Sequence, residues 1–157
     1  MSKFQWLLFL HIAGVFLLLG GAVIAAALNL AALRRERPSE IGLLFGLIRI
    51  AVVSIVLGAL VAFVFGLWLV DESGFDYGDG WIVAAIVMLV AALVLGASGG
   101  RRDARTRKLA EELAAGGDEP STVLRQRVRN PLSLALSYGS GLLVFAVLGI
   151  MIWKPGA

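Results

Sequence analysis

Four long apolar runs constrain the fold of this chain more than any other feature. They extend from about Phe4 to Leu33, Ile41 to Val70, Gly80 to Gly99 and Pro131 to Trp153. Each run reaches the roughly 20 residues that a helix needs to cross a hydrocarbon layer about 30 Å thick. Helices satisfy their own backbone hydrogen bonds in lipid, whereas the alternation of a barrel strand is missing. The sequence therefore predicts an all-α polytopic membrane protein, an antiparallel bundle of four transmembrane helices in one domain over residues 1–157.

The first run is expected to remain in the chain as a membrane helix. A cleaved signal peptide is the competing interpretation, because the run lies near the start of the sequence. Its apolar stretch is too long for an ordinary signal peptide, and the arginines Arg34 and Arg35 follow the run instead of preceding it.

The polar connections between the runs differ in charge. Segment 34–40 carries three arginines and segment 101–130 carries eight basic residues, whereas segment 71–80 carries four acidic residues and no basic one. Cytoplasmic loops of membrane proteins carry the excess of Lys and Arg. The sequence therefore predicts a bacterial inner-membrane protein with a cytoplasmic loop at 101–130 and both termini outside.

The tryptophans support the same orientation. Indole rings settle at the headgroup level of a bilayer, since they are amphipathic. In the predicted topology all four tryptophans fall at outer helix ends. They are Trp6, Trp68, Trp81 and Trp153.

The third loop is long enough to form local structure. Pairs at i,i+4 spacing, Arg107 with Glu111 and Lys108 with Glu112, predict a short helix that the two glycines 116–117 end. Ser121 is expected to cap a second short helix. The apolar side chains of that helix are predicted to face the membrane. They are Val123, Leu124 and Val128.

Small residues recur at four-residue steps in three of the runs. Such stripes allow helix backbones to approach closely, either within the bundle or between copies of the chain. The stripes comprise Ser54, Gly58, Ala62 and Gly66 in the second run, Ala84, Met88, Ala92, Gly96 and Gly100 in the third, and Ser133, Ser137 and Gly141 in the fourth.

Two ionisable residues lie inside the apolar runs and are candidate sites for that reason. Arg49 is about 12 Å along the second helix from its inner end and is able to snorkel to the cytoplasmic face. The alternatives are a lipid phosphate, or a partner inside the bundle, for which Tyr138 and Asn29 are the inner-half candidates.

His11, the single histidine, lies in the outer half of the first helix. Met88 and Met151 are expected at a similar depth, so the three side chains form a candidate site for haem b or Cu(I). Two His11 side chains in a homodimer would provide bis-histidine haem ligation. The alternatives are a neutral imidazole bonded to a helix carbonyl, or a role in handling protons or a small ligand.

Signatures of soluble enzymes are absent from the sequence. There is no phosphate-binding P-loop, no HExxH metalloprotease motif and no GxSxG nucleophile motif. The chain has no cysteine, which excludes thiolate metal sites. The outer acids offer at most a weak divalent-cation site, and the arginine clusters are explained by topology, so nucleic-acid binding is not expected.

Two stretches resemble a known family. The stretch LHIAGVFLLLGGAV, the basic first loop and the closing NPLSLAL…GIMIWKPGA resemble a bacterial family of four-helix integral membrane proteins of unknown function. That family is similar in its first helix to the copper-resistance D membrane proteins. The resemblance implies a four-helix membrane protein and supplies no reaction.

The leading hypothesis is a non-enzymatic small subunit or accessory protein that acts through helix–helix contacts in the lipid bilayer, with a protein partner or as a homo-oligomer. The first alternative is a redox or metal-handling protein that uses His11 with haem or copper. The second is a small-solute transporter or channel, which the scarcity of polar residues in the runs disfavours.

Overall fold

The computed structural model describes residues 2–155 and is 86% helical, with no strand among those residues. The four spanning stretches are long and apolar enough to cross a membrane, which confirms the predicted fold class. The helices are α1 (Lys3–Ala32), α2 (Pro38–Ser73), α3 (Gly80–Ala115), α4 (Thr122–Val128) and α5 (Pro131–Trp153).

Local sequence signals explain where the helices begin. Ser2 and Gln5 form a reciprocal capping box at the start of α1. Pro38 and Pro131 occupy the first positions of α2 and α5, where the missing N–H of proline costs nothing. The Asn130 side chain also accepts hydrogen bonds from the first backbone N–H groups of α5.

The prediction that the third helix ends at Gly99 is wrong, because α3 continues to Ala115. Gly99 packs against Ser137 of α5, so this glycine serves close packing rather than termination. The predicted pair Arg107–Glu111, at 3.6 Å, lies on the continued helix. Roughly the first half of the predicted loop 101–130 is therefore an extension of α3, which ends at the expected glycines.

The short helix α4 forms where it was predicted, with Ser121 as its cap. The prediction that its apolar side chains face the membrane is wrong for two of the three. Leu124 and Val128 are buried against Phe45 and other core side chains, whereas Val123 is 56% exposed. The protein core buries this apolar face, so α4 needs no lipid to cover it.

Polar contacts hold the inner loops together. Both carboxylate oxygens of Asp118 accept hydrogen bonds from Ser39 at the start of α2, each at 2.7 Å, one from its backbone N–H and one from its hydroxyl. These bonds hold the pKa of the Asp118 carboxyl below its usual range. Arg125 of α4 pairs with Glu36 in the α1–α2 loop at 2.6 Å.

The bundle consists of two helical hairpins. One is α1 against α2, and the other is α3 against α5; α2 and α3 pack together less extensively, and α1 barely touches α5. Three apolar clusters follow the bundle axis. The inner one includes Ile41 and Leu124, the middle one Leu18 and Ala92, and the outer one Trp81 with Val70 and Ile82.

Glycines bring α1 and α2 into backbone contact. A Cβ atom added at Gly14 would lie 2.5 Å from the backbone nitrogen of Ala62, and one added at Gly58 would clash with the backbone of Leu18. The Ser54 hydroxyl donates to a backbone carbonyl of α1 at 3.2 Å. The small-residue stripe of α2 therefore serves contacts within the bundle, one of its two predicted uses.

Candidate ligand site in the outer half of the bundle

An apolar cavity of about 360 Å³ lies between the two hairpins in the outer half of the bundle. All four spanning helices line it. Leu8, Leu89 and Leu148 are typical of the lining, and the polar exceptions are few. The volume falls within the range of about 300–1,000 Å³ that small-molecule sites occupy.

His11 projects from α1 into the lining of this cavity. Its Nδ1 atom is 2.7 Å from the carbonyl oxygen of Ala62 on α2. A carbonyl oxygen only accepts hydrogen bonds, so Nδ1 carries the proton, and Nε2 of the neutral ring is an acceptor. Gly66 makes room for the ring, because a Cβ atom there would lie 3.0 Å from Nδ1.

Trp81 is the second polar residue of the lining, and the structure departs from expectation here. The other tryptophans are each at least half exposed, as an interfacial belt requires, whereas Trp81 is 8% exposed and packs edge-on against Phe75. Its Nε1 atom is buried and has no hydrogen-bond partner within residues 2–155. Buried donors are nearly always satisfied, so this indole N–H is an exception, and protein atoms enclose it.

Lys154, directly after α5, brings a positive charge to the outer end of the cavity. Its Nζ atom lies 4.7 Å from the centre of the Phe75 ring and 5.5 Å from that of the Trp81 ring. Cation–π contacts of this kind hold the ammonium over the aromatic faces. The lining thus combines the His11 ring, the Ser73 hydroxyl and the Lys154 ammonium with an apolar body.

The structure separates the predicted haem or Cu(I) ligands. Met151 lines the same cavity as His11, whereas the half-buried Met88 does not. Among residues 2–155, no group of three His, Cys, Asp or Glu side chains is placed to hold a metal ion. One free imidazole nitrogen and one thioether therefore remain as the candidate ligands from a single chain.

The outer acidic residues are engaged by other side chains. Glu72 pairs with Lys3 at 2.6 Å, and Asp71 accepts a hydrogen bond of 2.7 Å from the Tyr77 hydroxyl. That bond and the charge of Asp71 raise the pKa of the Tyr77 hydroxyl above its usual value.

Arg49 lies apart from both ends of the cavity. Its side chain is exposed on the side of α2 that faces away from the bundle. Within the described part of the chain it forms no hydrogen bond or ion pair. The proposed bundle partners Asn29 and Tyr138 instead line a second cavity of about 400 Å³ in the inner half, together with Asp103. The geometry leaves Arg49 to the nearer membrane interface or to a lipid phosphate.

The comparison with protein families agrees with a membrane protein. A family described as "Predicted integral membrane protein (DUF2269)" matches residues 5–155.

The chain belongs to this family. No curated protein and no solved structure matches the chain. DUF2269 thus accounts for the membrane-protein class, and the chemistry of the site rests on its own geometry.

Two site residues carried no distinguishing signal in the sequence. Trp81 begins a membrane helix directly after a polar loop, the position that also suits an interfacial tryptophan. Lys154 at an outer helix end looks like an ordinary flanking charge. Only the packing of the helices shows that these two side chains converge with His11 on one cavity.

Proposed function

We propose that this protein is a non-enzymatic accessory protein of the bacterial inner membrane that binds a membrane-soluble molecule in its outer cavity. The observation that carries the proposal is the Nε2 atom of His11, left without a partner among the described residues, in a residue that lines an apolar cavity. The lining offers no nucleophile activated by an adjacent base, as enzymes that act on lipid-like molecules often require. Binding is therefore the activity that the site supports.

The proposed setting is the cytoplasmic membrane with both termini outside. The arginines of the α1–α2 loop and of segment 101–130 support this orientation, since cytoplasmic loops attract the basic residues. In this orientation the cavity lies in the half of the bilayer away from the cytoplasm.

Ligand retention tests the proposal. The protein is extracted from its membrane in lipid nanodiscs and examined by native mass spectrometry for a bound small molecule. We expect about one molecule per chain in the wild type and none in Leu148→Trp, where the added ring fills the cavity. The matched control is Ile152→Trp, because Ile152 is 68% exposed on the same helix and lies outside the lining. A wild-type chain without any bound molecule would overturn the proposal.

The accessory role also calls for a protein partner or a second copy of the chain. The outward helix faces carry large apolar side chains, such as Phe16 and Leu142, which suit contacts with another membrane helix. Chemical crosslinking in intact membranes followed by purification should recover one defined complex. A chain that crosslinks to nothing under these conditions would contradict the accessory role.

A second candidate function is haem or Cu(I) handling through His11 and Met151. The fixed Nδ1 proton leaves Nε2 as a ligand atom, and Met151 lines the same cavity. The predicted resemblance of the first helix to copper-resistance D proteins belongs to this candidate.

An optical spectrum with metal analysis of the purified protein tests the second candidate. We expect a Soret band or stoichiometric copper that disappears in His11→Ala and persists in Met88→Leu, since Met88 lies outside the cavity. A colourless, metal-free wild-type protein contradicts it.

A further inference from the structure

We propose that the inner cavity binds a lipophilic amine in its protonated form, with one ammonium group on a short hydrocarbon body. This cavity of about 400 Å³ is the one that Asn29, Tyr138 and Asp103 line, and all four spanning helices contribute to it. The inference goes beyond the proposed function, because it concerns a second site. Its failure would leave the outer cavity unaffected.

Asp103 gives the inner cavity a single negative charge. It is the only charged residue among the described residues of the lining. Within residues 2–155 its half-buried carboxylate forms no hydrogen bond and no ion pair. Among the unpartnered side-chain atoms in that part of the chain, only Nε1 of Trp81 is fully enclosed by protein. The Asp103 carboxylate is therefore unpartnered and accessible.

No neighbouring cation neutralises this carboxylate. Arg107, one turn further along α3, pairs instead with Glu111 at 3.6 Å, and the arginines of segment 101–105 are exposed. Asp103 lies beyond the apolar run that ends at Gly99. Burial raises the pKa of its carboxyl to about 6, and no positive charge opposes that effect. The carboxylate is therefore ionised at pH 7.5, and folding has already removed part of its water.

The polar side chains of the inner cavity are all able to accept a hydrogen bond. They are Asn29, Asp103, Ser137, Tyr138 and Ser140. One amide N–H of Asn29 and the hydroxyl of Ser140 already donate to helix carbonyls, at 3.2 and 3.0 Å, so the oxygen atoms of both side chains remain as acceptors. An ammonium group provides three N–H donors and a positive charge. In a half-buried site, the uncompensated carboxylate attracts such a cation and repels an anion.

The rest of the lining favours a hydrocarbon body over a small hydrated ion. Val52, Leu142 and Phe145 are typical of this apolar part. Gly141 leaves space in it, since no atom lies within 4 Å of a Cβ atom added there. A metal ion would find one carboxylate in the lining, whereas hard cations require several oxygen ligands. One charge beside an apolar surface matches an amine that carries a single hydrocarbon chain.

Equilibrium dialysis with three matched amphiphiles provides the test. The full chain is purified in a neutral detergent and dialysed at pH 7.5 against octylamine, octanol or octanoic acid, with protein-free micelles as the blank. We expect saturable binding of about one octylamine molecule per chain. Octanol should bind roughly tenfold more weakly, because it makes no charged hydrogen bond. Octanoic acid, which is an anion at this pH, should bind more weakly still.

Two pairs of variants should locate the charge and the cavity. Asp103→Asn should weaken octylamine binding roughly tenfold and leave octanol binding unchanged, which also shows that the variant is folded. Glu112→Gln is the control, because it removes an exposed carboxylate of the same helix outside the lining. Gly141→Leu should abolish octylamine binding by filling the cavity. Gly139→Leu should not, because Gly139 is equally open to a side chain but lies outside the lining.

The outcomes are distinguishable. Equal affinity for octylamine and octanol, or octylamine binding that is unchanged in Asp103→Asn, overturns the assignment of an ammonium ligand. Loss of octylamine binding in Leu148→Trp, which fills the outer cavity, overturns the inner site. Absence of saturable binding by all three amphiphiles also overturns the inner site, while the proposed function of the outer cavity keeps its own test.

Discussion

At the scale of single residues, a helix carbonyl sets the chemistry of His11. The Ala62 oxygen fixes the proton on Nδ1, and the absence of a side chain at Gly66 lets the ring approach. The imidazole then presents Nε2, with its free electron pair, as the only atom able to accept a hydrogen bond or bind a metal. A histidine in an apolar helix is thus held in one tautomer by its neighbouring helix.

Gly58 should be intolerant of any side chain. A Cβ atom there would clash with the backbone of Leu18, which is unable to move without separating α1 from α2. We expect Gly58→Ala to lower the free energy of unfolding by about 1–3 kcal/mol, measured by unfolding in SDS–detergent mixtures.

Gly46→Ala is the control for Gly58→Ala. No atom lies within 4 Å of a Cβ atom added at Gly46 on the same helix. Alanine there should raise stability by about 0.5–1 kcal/mol. Equal effects at the two positions would show that α1 and α2 are not in backbone contact.

Asp118 should make the inner loops sensitive to acid. Its pKa is lowered in the folded chain, so its stabilising effect is complete above the unfolded value of about 3.9 and is lost as the pH falls through the folded pKa. Asp118→Asn keeps a residue that tolerates the positive φ of 58° but removes the titration. We expect this variant to melt below the wild type at pH 7 and to approach it below about pH 4.

The neighbouring Glu119→Gln is the control for that titration. Glu119 is exposed and makes no hydrogen bond within residues 2–155. Its removal should leave the pH dependence of melting unchanged. A constant difference between wild type and Asp118→Asn across pH 3–7 would contradict the role of the carboxylate.

Sequence reasoning found part of the candidate site. His11 is conspicuous because ionisable residues are rare in apolar helices, and position along the helices predicted Met88 and Met151 at its depth, although only Met151 lines the same cavity. Trp81 and Lys154 were missed, because depth along one helix does not tell which side chains from other helices turn inward. The rotation of each helix about its axis decides that, and it depends on packing between helices.

At the scale of elements, the helix boundaries depend on the residues that flank each apolar run. The apolar run ends near Gly99, but the α-helix continues because charged residues at i,i+4 spacing are good helix formers in water. Thr106 and Ala110 of this extension are buried against the rest of the protein. Hydropathy therefore located the spans, while helix propensity and burial set the ends.

Leu124 should anchor α4 to the inner end of the bundle. It is 1% exposed within the inner core cluster, so Leu124→Ala leaves a cavity and should reduce stability by about 2–5 kcal/mol. Val123→Ala is the control one residue away, since Val123 is 56% exposed and should change stability by less than about 0.5 kcal/mol. Detergent unfolding measures both, and a smaller loss at Leu124 would show that α4 is not part of the core.

At the scale of the whole molecule, the four spans follow directly from the four apolar runs of the sequence, and the short first two connections make the helices that they join antiparallel neighbours. The pairing into two hairpins with a loose α1–α5 seam was not predicted. Every run has small residues and an apolar surface that suits lipid. The sequence alone therefore does not tell which helices pack against each other through their small-residue stripes.

The orientation in the membrane is a prediction that labelling decides. Ser73→Cys lies at the end of α2 on the proposed outer side, and Glu119→Cys lies in the α3–α4 connection on the cytoplasmic side; both native side chains are exposed. In intact cells, a membrane-impermeant maleimide should modify position 73 and leave position 119 protected. The chain contains no native cysteine, so no background reaction is expected. The reverse pattern would invert the topology.

The loose seam between α1 and α5 has a mechanical consequence. Both cavities lie between the same two hairpins, and Val144 of α5 forms part of the wall of each. If one hairpin tilted against the other about Val144, one cavity would widen while the other narrowed. A molecule that holds the outer cavity open would therefore also act, through Val144, on the wall of the inner cavity.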